Sequence, residues 1–160
     1  MTRSEGYIRL SSLEYSTDNM NYFVHLTNNA VQVKSESYGS IVKGNIIGIT
    51  NFENLLCKMQ ADNPKQKIAV PTGSIMAQIQ SLIKLTFDST HNLLNPIKRD
   101  KCFELFGFDF MMDENQKLWL IECNTIPSLG ESNEFLTKFF SRLLGIHAPL
   151  TARRHVQDYT

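Results

Sequence analysis

The residues best suited to chemistry lie in one short stretch of the 160-residue chain. Asp109 sits in Phe106-Gly107-Phe108-Asp109-Phe110, and Glu122 and Asn124 sit in Leu118-Trp119-Leu120-Ile121-Glu122-Cys123-Asn124. Alternation of period two predicts strands from Phe103 to Met112 and from Lys117 to Cys123, around the polar turn Asp113-Glu114-Asn115-Gln116. A turn centred between Asn115 and Gln116 pairs Met112 with Trp119 and Asp109 with Glu122. Directly opposed side chains stand about 5 Å apart at Cβ, so two carboxylates held there repel each other. A shared proton, a basic side chain or a metal ion has to neutralise them. Asn124 lies two residues beyond Glu122 and shares its face. Two carboxylates and an amide oxygen are hard donors suited to Mg²⁺, which is commonly held by one or two carboxylates plus substrate phosphates. The set therefore points to a nucleotide-bound ion rather than a protein-caged one.

The other face of this hairpin is expected to be apolar. Phe106, Phe108 and Phe110 share one side of the first strand, and Trp119, Ile121 and Cys123 share one side of the second, away from Glu122. The acids are thus expected within a hydrophobic strand pair, where an unpaired charge is costly. Two structural alternatives remain beside the metal reading. One makes the carboxylates partners of arginines or lysines in a network, and the other makes Asp109 an exposed strand-end residue.

Other elements must position this hairpin. Tyr7-Ile8-Arg9-Leu10 predicts a short strand, and Tyr22-Phe23-Val24-His25-Leu26 a second one, with Ala30 to Val33 extending it past a bend. The glycines of Ser35 to Gly48 predict a loop. Phe52, Leu55, Leu56 and Met59 follow helical spacing, with Thr50 or Asn51 as N-cap and Pro64 as the stop. Ile75, Ile79, Leu82, Ile83 and Phe87 mark a longer helix beginning near Thr72 or Ser74 and closed by Asn95-Pro96. Leu136, Phe139, Phe140 and Leu143 mark a last helix from Ser132 to Leu144, with Gly145 as its stop. The fold class is α+β, an antiparallel sheet with packed helices.

Composition narrows the function. Lys plus Arg and Asp plus Glu both total 16, so the net charge is zero, which argues against nucleic acid or membrane surfaces as charge-driven partners. An apolar fraction of 42% supports a real core. The three cysteines, Cys57, Cys102 and Cys123, form no CxxC pair, which argues against structural zinc and fits a reducing, cytoplasmic compartment. No apolar run approaches a membrane span, so no membrane insertion is expected.

The two strand motifs closely resemble the signature of the tubulin–tyrosine ligase family, which includes tubulin tyrosine ligase and the related glutamylases and glycylases. His25-Leu26-Thr27-Asn28 and Gly6-Tyr7-Ile8-Arg9-Leu10 resemble two further motifs of that family, in the right order. The resemblance covers roughly residues 5 to 145. It implies the C-terminal part of an ATP-grasp fold and an ATP-dependent amino-acid ligase that tyrosinates or glutamylates tubulin through an acyl phosphate. It implies ATP and Mg²⁺ as cofactors, with Asp109, Glu122 and Asn124 on the metal, Leu26, Thr27, Asn28 and Ile121 around the nucleotide, and Arg9 near the transferred phosphate. It also implies an acidic tubulin tail and an amino acid as partners, and a cytoplasmic site on the cytoskeleton or cilium. Each residue also has a plainer reading: Arg9 as a surface strand arginine, Thr27-Asn28 as turn residues, His25 as a hydrogen-bonded core histidine, and Cys123 as packing.

In the resembling family a long N-terminal portion precedes the Gly6 motif, bringing ATP-contacting lysines and a basic surface for the tubulin tail. Residues 1–147 are accordingly expected to be the C-terminal lobe without its N-terminal partner, followed by a polar tail over 148–160. A fragment of a longer product and a truncated paralogue are both consistent with this. The second case gives the alternative function, a catalytically inactive binding module.

Overall fold

Where helical and strand periodicities run long, they form the elements that their spacing predicts. The structure, a computed structural model, describes residues 6–64, 75–127 and 134–144. The expected helix starts near Thr72 and Ser132, the Gly145 stop and the tail fall outside those residues. The described elements, in order, are β1 (Tyr7–Arg9), α1 (Tyr22–His25), α2 (Asn29–Gln32), a 3₁₀ turn (Lys43–Asn45), β2 (Ile46–Gly48), α3 (Ile49–Asp62), α4 (Ile75–Leu94), β3 (Gly107–Met112), β4 (Leu118–Asn124) and α5 (Glu134–Leu144). The fold is α+β, with two two-stranded sheets, β1–β2 and β3–β4. Packing divides the described residues into two compact units, one of residue 6 with 48–64 and 75–127, the other of 7–47 with 134–144.

The first unit lays the β3–β4 hairpin on α4. Ile75 is buried, and Ile79, Leu82, Ile83 and Phe87 are half-buried behind it, which is the expected stripe. Phe87 meets Phe106 and Phe108 edge-on at 5.4 and 5.8 Å, and Phe108 stacks on Phe110 at 6.2 Å. Gln78 of α4 clamps the start of β4: its Nε2 donates to the Gln116 carbonyl at 3.0 Å, and its Oε1 accepts from Leu118 N at 3.0 Å. Glu53 of α3 accepts from Ile75 N at 2.9 Å and so satisfies an amide at the start of α4. Helix α3 begins at Ile49, earlier than the Thr50 or Asn51 cap predicts, and it ends at Asp62, just before Pro64. Ile49 and Phe52 are buried, whereas Met59 is 44% exposed, so the stripe ends at Leu56.

The second unit is built on Ile46, Leu136 and Phe140, with Tyr7, Phe135 and Phe139 packed against them. Tyr7 contacts Phe139 edge-on at 5.6 Å. Several short-element expectations are corrected here. Tyr22–His25 is a helix rather than a strand, because Asn21 accepts from Phe23 N at 2.9 Å through its side chain and from Val24 N at 2.9 Å through its carbonyl. Asn29–Gln32 is likewise a helical turn rather than a strand extension, with the Asn28 carbonyl accepting from Val31 and Gln32. The segment expected to be loop up to Gly48 ends in β2, which pairs with β1. A four-residue apolar run fits one helical turn as well as a strand, so local hydrogen bonding decided its form.

Candidate functional site

The hairpin brings the three predicted metal donors together. Asp109 stands directly opposite Glu122, and Gly107 opposite Asn124. The Asn124 amide donates to Asp109 Oδ2 at 3.3 Å and to Glu122 Oε1 at 3.2 Å. A Cβ on Gly107 would stand 2.8 Å from Pro127 Cβ, so only glycine lets the chain after Asn124 fold back over that strand end. Pro127 therefore packs on this strand end.

The register differs from expectation on the turn side. Beyond Asp109 the pairs are Phe110 with Leu120, Met111 with Trp119 and Met112 with Leu118, so Met112 does not oppose Trp119. Gln116 adopts a φ of 60°, and Asp113 N donates to the Lys117 carbonyl at 3.0 Å, closing a connection centred on Asn115. A shift between Asp109 and Phe110 then leaves Ile121 as an extra residue on β4 and restores the Asp109–Glu122 pairing.

This bulge changes the faces. Trp119 opposes Met111, two residues from Asp109, so it lies on the carboxylate side rather than the apolar side. Trp119 is 50% and Ile121 58% exposed, while Leu118 is buried and Leu120 half-buried. Cys123 opposes Phe108 and keeps its expected side, though it is exposed. Desolvation, with Glu104 nearby, pushes its thiol above the usual range, which makes it a poor nucleophile. Asp109 and Glu122 are themselves exposed, not embedded in apolar surroundings as expected, because the bulged face looks to solvent.

Among the described residues no group of three or more His, Cys, Asp or Glu gathers as a metal site. The set here is two carboxylates and an amide, and its chemistry fits Mg²⁺: hard oxygens, a like-charged pair in direct opposition, and open access for further ligands. The Asn124 amide now faces the carboxylates with its NH₂ group and also carries an oxygen that a cation can use.

Beside the donors, Asp113 organises the turn. Its Oδ1 accepts from Asn115 N at 2.9 Å and Lys117 N at 3.0 Å, and its Oδ2 accepts from Trp119 Nε1 at 2.9 Å. Lys117 Nζ sits 3.8 Å from the Trp119 ring centroid. The indole N–H holds the Asp113 carboxyl below its usual range against partial desolvation, helped by the two amides and the Lys117 charge. A depressed folded-state pKa stabilises the turn above the unfolded value, and this stabilisation is lost as pH falls through the folded one. Trp119 is the sole tryptophan, so its emission should titrate with a midpoint below the ordinary Asp value. Asp113→Asn should abolish that step; a midpoint at or above the ordinary value would contradict this account.

The remaining predicted residues lie in the second unit. Arg9 is half-buried on β1, with its guanidinium 5.6 Å from the Tyr7 ring centroid. Leu26 closes α1, Asn28 begins α2, and Leu26, Thr27 and Asn28 are all exposed. His25 is exposed rather than in the core, edge-on to Tyr15 at 5.7 Å, with Nε2 at 2.5 Å from the Asn19 carbonyl. Sequence reading missed the side chains behind this segment. Gln32 is fully buried and Asn45 nearly so, with Asn45 at a φ of 52°. A buried amide in a Gly-, Ser- and Asn-rich stretch carries no periodic signal, which is why neither stood out.

With this geometry in view, comparison with known proteins defines the class. The model of the tubulin-tyrosine ligase family matches residues 4–148. The chain belongs to that family. It is 35% identical over 144 residues to tubulin glycylase 3D of Tetrahymena thermophila, covering 88% of this chain and 13% of that protein. It is 31% identical over 147 residues to tubulin glycylase 3B of Drosophila melanogaster, covering 89% of this chain and 18% of that protein. It is 33% identical over 133 residues to probable tubulin polyglutamylase ttll-9 of Caenorhabditis elegans, covering 81% and 29%. The chain thus spans less than a third of the length of these relatives.

Proposed function

We propose that this chain is part of an ATP-dependent ligase that joins an amino acid to tubulin. The observation that carries the reading is the Asp109–Glu122–Asn124 cluster on one face of a hairpin, in a chain of this family. Asp109, Glu122 and Asn124 would hold Mg²⁺, which supplies charge neutralisation at the nucleotide phosphates. Ile121, the exposed extra residue next to Glu122, would offer apolar contact to the nucleotide. Leu26, Thr27 and Asn28 would line the nucleotide, and Arg9 would stabilise charge on the transferred phosphoryl group. A tubulin carboxylate oxygen bonds to the γ-phosphorus and ADP leaves. The amine nitrogen then bonds to the acyl carbon, releasing phosphate and a proton. In this reading the ATP-grasp architecture and a cytoskeletal or ciliary site follow from the family. The similarity to two glycylases and a probable polyglutamylase favours glycine or glutamate over tyrosine as the amino acid.

The test is to incubate the chain with Mg²⁺·ATP, tubulin and each amino acid, and to read the tubulin tails by mass spectrometry. Glycyl or glutamyl additions that need ATP are expected. Nucleotide binding without transfer would instead favour the non-catalytic binding module. Among the described residues no helix is long and apolar enough to cross a membrane.

A further inference from the structure

The exposed Leu26-Thr27-Asn28 segment is short and flanked by two four-residue helices. Helices of that length do not hold themselves in water, so something else must fix the segment. Gln32, at 0% exposure, reaches back beneath it. Its Nε2 donates to the Leu26 carbonyl at 2.5 Å and to the Phe23 carbonyl at 3.2 Å. Its Oε1 accepts from Ser12 N at 2.8 Å and from Asn45 Nδ2 at 3.3 Å. One buried amide thereby ties the end of α1 to two strands of chain remote in sequence. All four polar contacts are satisfied without solvent, which makes the arrangement rigid.

We propose that Gln32 is a positioning residue for nucleotide binding: it holds Leu26-Thr27-Asn28 in one conformation before the ligand arrives. The proposal rests on the reading of that segment as a nucleotide contact. Preordering a binding segment lowers the entropy lost on association, so its removal should weaken binding without touching the ligand.

Two variants separate this from a packing role. Gln32→Glu keeps an acceptor toward Ser12 and Asn45 but turns an oxygen toward two carbonyls. Gln32→Met fills similar volume and removes both halves without adding charge. Amide exchange is read at Leu26, which donates to Tyr22, and at Val31, which donates to Asn28. ATP affinity is measured by calorimetry, and Mn²⁺ affinity at the hairpin by Trp119 emission. The expected result is exchange faster by about tenfold or more at those amides. ATP binding should weaken about tenfold, with Mn²⁺ affinity and α5 exchange unchanged. Unchanged exchange, or faster exchange with wild-type ATP affinity in both variants, overturns the proposal. A wild-type chain that binds no ATP overturns the nucleotide half together with the proposed function. Loss confined to the variants leaves the function standing and assigns the role to Gln32.

Discussion

Replacing Glu122 by Gln is expected to abolish Mg²⁺-dependent ATP binding while leaving the hairpin at least as stable as before. Asp109 and Glu122 face each other directly on β3 and β4, and like charges in that position oppose pairing. Removing one charge relieves the repulsion, so the thermal midpoint should rise slightly or hold. Removing the same charge takes away one of two anionic donors. Even partners one step removed from a metal contribute 10–100-fold to affinity, so losing a donor should cost about 100-fold or more. Asp109→Asn should lose binding to a similar degree. Calorimetric titration with Mg²⁺·ATP and a melting curve on the same samples give both readings. The opposite signs are the point of the test. If Glu122→Gln melts earlier and binds ATP as before, the two acids belong to a structural network, which is the alternative their sequence context also allowed.

Asn45→Ala should be the most damaging small substitution in the second unit. The Asn45 amide donates to the Leu10 carbonyl at 3.1 Å, Ser12 Oγ at 2.8 Å and Gln32 Oε1 at 3.3 Å, and its oxygen accepts from Gly39 N at 2.8 Å. Leaving several such buried partners unmet costs roughly 1–3 kcal/mol each, with partial relaxation. Alanine also meets the left-handed φ of 52°, at about 1 kcal/mol. A total loss of about 3–5 kcal/mol is expected, which is comparable to emptying the core at Leu136, 1% exposed. Asn45→Gly should recover only the conformational part. Asn45→Asp should fare no better than Ala, because a second oxygen would face the Leu10 carbonyl and Gln32 Oε1. Urea unfolding of the three variants, followed by far-ultraviolet circular dichroism, ranks them. Equal losses for Ala and Gly would remove backbone strain from the account, and a loss below about 1 kcal/mol for Ala would show that the network is dispensable.

How much of this was legible beforehand depends on the range of the interactions involved. Helix α4 and the existence of the β3–β4 hairpin follow from periodic burial, a pattern written residue by residue along the chain. The expected Asp109–Glu122 pairing, by contrast, is reached in the fold only through the extra residue Ile121. The pairing nearer the turn was not legible, because the left-handed Gln116 and the extra residue Ile121 shift the register by one in compensating ways. Only the folded hairpin reveals both, and with them the move of Trp119 to the carboxylate face. The short helices α1 and α2 read equally well as strands until the Asn21 side chain and the Asn28 carbonyl are seen to accept from amides within them.

The sequence by itself determined the chemistry of the donor set, the long elements that carry it and the family motifs in their order. Tertiary structure alone decided which way the acids face and what holds the segment from Leu26 to Asn28. Gln32 and Asn45 act through partners up to 35 residues away, and a contact that long leaves no periodic trace in the chain. Such residues become visible only when burial makes every unsatisfied polar group costly.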